Sequence, residues 1–148
     1  MIRVLPSVFV EAGQDGDFAF MLNQPQHSKT LFVFNDNEEQ FDAFVRGEPS
    51  GFSTGGGNAV VRPFREQQPP RSAGIPTGSL VGGGYRSLDS TTKAKIDEAI
   101  VIVQNLVNSG AYDTLVFSKS PDGNSIGVGI FQVAEEVLVY IHDRLMAI

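Results

Sequence analysis

Three short stretches of this chain combine glycine with groups able to meet a negatively charged ligand. They are "STGGGNAVVRPFR" from Ser53 to Arg65, "LVGGGYR" from Leu80 to Arg86 and "NSIGVGIF" from Asn124 to Phe131. Glycine loses more backbone freedom on folding than any other residue, so glycine runs kept inside a domain point to places where something must come close to the main chain. Where such a run precedes a helix, unpaired N–H groups and the positive end of the helix dipole favour a phosphate. Gly55, Gly56, Gly57, Asn58 and Arg62 in the first stretch, and Ser125, Ile126, Gly127, Val128, Gly129, Ile130 and Phe131 in the third, are therefore candidate ligand contacts. The same glycines can equally serve as simple turns.

A fourth stretch, "LFVFNDN", ends an uninterrupted apolar run with Asn35, Asp36 and Asn37. Polar groups at the carboxyl end of a buried strand are where α/β sheets hold ligands. Asp36 can accept from a base amine or a ribose hydroxyl, and the flanking amides can donate or accept; a strand-end turn is the alternative. Asn58 suits either a helix N-cap or a ribose contact.

Other chemistries lack their residues. There is no cysteine for a thiolate, a disulfide or a zinc site. His27 and His142 have no metal-ligand spacing, so no metal site is expected. No phosphate-loop pattern ending in Gly-Lys-Ser/Thr and no full GxGxxG occurs, and no cofactor is implied. Glu135 and Glu136 adjoin each other on a helical stretch, where solvation accounts for them.

The elements that position these groups follow from periodicity. "SVFVEAGQDGDFAFMLN" alternates about a glycine-bearing centre and predicts an N-terminal β-hairpin. "LFVF" predicts a central strand covered on both faces. A short helix is expected over 38–46, and another from near Asn58, disturbed at Pro63. One short strand fits "RSAGIPTG", and 69–89 reads as mostly loop. "STTKAKIDEAIVIVQNLVNSG" carries Ile96, Ala99, Ile100, Val103, Leu106 and Val107 at helical spacing, with Asp89 or Ser90 to cap it and Gly110 to close it. Thr114–Ser118 predicts a buried strand, and Ala134, Val137, Leu138, Ile141 and Leu145 a final helix.

Alternating strands and helices of this kind predict an α/β fold, a three-layer sandwich with a mixed, largely parallel sheet plus the N-terminal hairpin. With 148 residues, 41% hydrophobic and 19% charged, one domain is expected over 1–148, residues 1–24 forming the hairpin extension. The net charge of −6 disfavours a broad nucleic-acid face, although Arg62, Arg65 and Arg71 gather just after the first glycine run. No apolar run is long enough to cross a bilayer, and the chain reads as soluble and cytoplasmic, with no membrane partner.

In order along the chain, "LFVFNDN", "TGGGNAVVR", "AGIPTG" and "NSIGVGIF" resemble small bacterial and phage macro-domain-like proteins, over roughly residues 31–148. The resemblance implies an ADP-ribose or related nucleotide ligand. Asp36 would then lie near the adenine, Gly55–Gly57 with Asn58 near the distal ribose, and "SIGVGIF" around the diphosphate. Asn35 stands where that family has glycine, and Asn58 where it has glutamine. Three functions remain open: a nucleotide-binding module, in a phage setting a sponge for a nucleotide signal; an ADP-ribosyl hydrolase acting on a protein, nucleic acid or small-molecule conjugate; or a structural protein, a homo-oligomer formed through the hairpin's edges.

Overall fold

The structure is a computed structural model that describes residues 2–48, 57–120, 126–127 and 132–148. In chain order the elements are β1 (Arg3–Ser7), α1 (Phe18–Leu22), β2 (Thr30–Asp36), α2 (Glu38–Val45), a 3-10 helix (Gly57–Glu66), β3 (Ser72–Pro76), β4 (Gly78–Ser79), β5 (Gly83–Gly84), α3 (Ser90–Asn108), β6 (Thr114–Ser118) and α4 (Glu135–Met146). Four strands form one sheet in the order β1-β6-β2-β3, parallel at every pairing.

The apolar run of β2 explains the layering. Alternation along a strand sends Leu31 and Val33 to one face and Phe32 and Phe34 to the other. Leu31 and Val33 join the larger core with Ile96, Ile100 and Val103 of α3 and Val137 and Ile141 of α4. Phe32 and Phe34 pack with Phe18, Met21 and Leu22 of α1 and Val61 of the 3-10 helix. The result is the α/β three-layer sandwich expected from the alternating pattern.

The N-terminal hairpin is not formed. β1 instead pairs in parallel with β6, Leu5 standing beside Val116, and the second expected limb is helix α1. The run "FAFML" satisfies both periods, and two interactions select the helix. Asp17 caps it by accepting from the Ala19 N–H, and Phe18, Met21 and Leu22, spaced three and four apart, reach the sheet together. An antiparallel hairpin does exist, but it is β4–β5, inside the stretch read as loop.

The remaining elements follow the expected positions closely. Asp89 caps α3 by accepting from the Thr92 N–H at 2.8 Å, and Gly110 follows its end with φ +80°, a backbone conformation natural to glycine. The segment after Asn58 is 3-10 rather than α-helical, and Pro63 lies within it. Among the described residues no helix is long and apolar enough to cross a membrane.

Candidate functional site

Both β2 and β6 lead first to the Leu31 face of the sheet: α2, directly after β2, places Phe41 in that core, and α4, after β6, packs there as well. Only after α2 does the route from β2 to β3 cross to the 3-10 helix on the Phe32 face. The carboxyl ends of β2 and β6 lie side by side, and strand ends of this kind are the usual ligand position in parallel α/β sheets.

Three of the stretches singled out in the sequence meet there, around Ser118. The Asn58 side chain donates from Nδ2 to Ser118 Oγ at 2.7 Å, and the Gly127 N–H donates to the Ser118 carbonyl at 3.0 Å. Asn35 Nδ2 in turn donates to the Gly127 carbonyl at 2.5 Å. Residues 35, 58 and 127 are thus linked through one strand end despite their separation in sequence. Because Ser118 Oγ accepts from Asn58, its own O–H remains able to donate, and Asn35 Oδ1 remains able to accept.

Asn58 itself is heavily engaged. Its Oδ1 accepts from the N–H of Phe18, the first residue of α1, at 2.9 Å, and Nδ2 also donates to the Gly16 carbonyl at 3.0 Å. It therefore caps a helix, but a helix forty residues earlier rather than its own. Gly57 starts the 3-10 helix beside it.

Gly127 fits the expectation of close main-chain approach: a Cβ there would stand 2.8 Å from the Lys119 carbonyl oxygen. The approaching group is the chain's own backbone. Ile126 pairs with Lys119 in an isolated antiparallel bridge and buries its side chain in the core. Gly55, Gly56, Ser125, Val128, Gly129, Ile130 and Phe131 lie outside the described residues.

Asp36 points to the other face, beside Phe34, and is only 2% exposed. Its Oδ1 accepts from Arg62 Nε at 3.0 Å, Arg62 Nη2 at 2.9 Å and the Asn37 N–H at 2.9 Å, while Oδ2 accepts from Arg65 Nη1 at 2.8 Å. Burial lowers the Arg65 pKa and the Asp36 charge opposes that shift. The Arg65 guanidinium also lies 4.6 Å from the centre of the Phe44 ring. Arg71, third of the expected cluster, donates to the carbonyls of His27 and Leu22 instead. The arginines expected to form an anion site are turned onto the protein's own oxygens.

Asn37 is the N-cap of α2, its Oδ1 accepting from the Gln40 N–H at 2.9 Å. In the first turn of that helix, Glu39 holds the β4–β5 hairpin: Oε2 accepts from Ser79 Oγ at 2.6 Å and Oε1 from the Leu80 N–H at 2.9 Å. The Ser79 hydrogen bond is the main cause of a lowered Glu39 pKa. Nearby, the Tyr85 hydroxyl is buried without a well-formed hydrogen bond; burial, and secondarily the Glu38 carboxylate, drives its pKa far above that of an ordinary phenol.

Ser118, Ser79 and Glu39 were not among the residues expected to matter. The available signal for Ser118 was its place at the end of a buried strand, next to the polar end of β2. Nothing local marks Glu39, since its partner lies forty residues away. Among the described residues no group of three or more histidines or carboxylates is arranged to hold a metal ion. In comparisons with known proteins the chain matches no family model, no curated protein and no solved structure.

Proposed function

We propose that this chain is a binding module for a phosphorylated nucleotide of the ADP-ribose type, held beyond the carboxyl ends of β2 and β6. The observation that carries the reading is the run of hydrogen bonds from Asn35 to Gly127, from Gly127 to Ser118 and from Asn58 to Ser118, which joins three of the glycine- and asparagine-bearing stretches. The carboxyl ends of neighbouring parallel strands supply the place, and a hydroxyl donor and an amide acceptor supply polar contacts.

Arg62 and Arg65 act in this reading as supports. By fixing Asp36 they hold the end of β2, and with it Asn35, in place. Binding is favoured over turnover because Ser118 Oγ is hydrogen-bonded to an amide, with no histidine or carboxylate among its partners in the described residues.

The test is titration with ADP-ribose, AMP and inorganic phosphate, followed by thermal unfolding, with mass spectrometry of ligand recovered after denaturation. A rise in melting temperature with ADP-ribose and recovery of the intact ligand support the module. Recovery of cleaved ligand favours a hydrolase, and absence of any shift removes the nucleotide reading.

A further inference from the structure

The sheet beside α1 carries an opening that the strand-end site leaves unexplained. Alternation along β1 and β6 turns Leu5 and Val116, which stand side by side, toward the α1 face. Helix α1, with five residues, leaves Leu5 39% exposed. A cleft of about 360 Å³ results, with Leu5 and Val116 as its floor and Met21 of α1 and His27 beside them. That volume lies at the lower end of small-molecule sites.

The rim of the cleft is tied down. Val8 lines it, and the Val8 carbonyl packs against Gly16, where a Cβ would stand only 2.1 Å from the oxygen. The Gly16 φ of +103° also favours glycine. The Gly16 carbonyl accepts from Asn58 Nδ2 at 3.0 Å, its N–H meets Met21 Sδ at 3.3 Å, and the Asp17 N–H donates to the Gln14 carbonyl at 3.0 Å. Asp15 stands between these tied residues and lines the cleft. Among the described residues its carboxylate has no cationic partner, and no lysine or arginine lines the cleft.

We propose that this cleft binds a small primary amine with an apolar body, its ammonium group resting on the Asp15 carboxylate. Leu5, Val116 and Met21 offer apolar surface, which selects an alkyl or aryl body. A carboxylate held in advance beside that surface selects a cation that can donate to it, through a charge-assisted hydrogen bond. The Ser7 hydroxyl, which also lines the cleft, can accept a second bond from the same ammonium. A phosphate would meet the Asp15 charge with no lysine or arginine to offset it, so this site differs in ligand from the strand ends. The net charge of −6 draws cations toward the molecule in the same sense.

Nuclear magnetic resonance titration of the full chain tests this with 2-phenylethylamine, 2-phenylethanol and phenylacetate, which share one apolar body and differ in the charge of the head group. The expected result is saturable shifts of the Leu5, Met21 and Val116 amides with the amine, an affinity about tenfold above that of the alcohol, and no binding of the carboxylate. In the wild type the preference for the amine should shrink with added salt, while alcohol binding holds. In Asp15→Asn the amine should fall to the affinity of the alcohol. Asp15 is exposed, and alcohol binding at the wild-type value verifies that the variant is folded. Absence of saturable amine binding, shifts centred outside the cleft, equal wild-type affinity for amine and alcohol, or an Asp15→Asn variant that keeps the preference overturns the proposal.

Discussion

Asp36 and Arg65 form an ion pair of 2.8 Å from which solvent is almost wholly excluded, with Arg62 completing the cluster on the other carboxylate oxygen. A buried carboxylate between two guanidiniums cannot be removed without leaving charge in a medium that solvates it poorly. Asp36→Ala is expected to destabilise the fold by about 3–5 kcal/mol in chemical denaturation. Because the pairs are shielded, the loss should change little with added salt.

Gly74 makes the neighbouring space for that cluster. A Cβ at Gly74 would lie 2.6 Å from Asp36 Oδ2 and 3.0 Å from the Phe34 ring, both held in place by buried partners. Gly74→Ala should therefore cost about 1–3 kcal/mol, the range for overpacking a core. Gly82→Ala serves as the comparison, since the nearest atom to its Cβ is 4.0 Å away. Thermal melts of the two variants should differ clearly, with Gly82→Ala close to wild type.

Asn58 joins α1, the 3-10 helix and β6 through one carboxamide. Asn58→Ala leaves the Phe18 N–H without its acceptor and should lower stability by about 1–3 kcal/mol. Asn58→Asp keeps that acceptor but loses both donors, so it is expected to fall between alanine and wild type in urea titrations.

Much of the layered fold was legible in the sequence, for reasons these residues make plain. The four-residue apolar run of β2 and the helical spacing in α3 are local patterns, and each was matched by a covering layer or a buried stripe. What misled was the segment 18–22, whose residues alternate and also recur at helical spacing. Its fate depends on Asp17 and on Phe32, 5.2 Å away ring to ring from Phe18. The small β4–β5 hairpin was hidden because glycines carry no pattern, and its anchor is a distant glutamate.

The site was legible only in part. Asn35, Asn58 and Gly127 were named from their stretches, and they do meet, Asn35 with Gly127 directly and Asn58 through Ser118, which no motif marked. Arginines counted toward a ligand turn inward, because a buried carboxylate two positions from Phe34 requires them. Sequence displays the charges; only packing decides which oxygens they meet.

The latch between Glu39 and the hairpin gives a pH signature. The folded-state pKa of Glu39 is lowered, so the contact is present above the ordinary glutamate range and is lost as pH falls through the depressed value. The Leu80 amide resonance should move with that protonation, at a pH below that of a free glutamate. In Glu39→Gln the movement should vanish, while the rest of the spectrum stays native.

The most direct measurement is nuclear magnetic resonance mapping of ADP-ribose binding on the wild type and on Asn35→Ala. The expected result is a set of shifted amides centred on Gly57, Ser118 and Gly127, with weaker binding in the variant. Absence of binding, or shifts centred on the β1 cleft around Leu5 and Met21 instead, would contradict a ligand site at the carboxyl ends of β2 and β6.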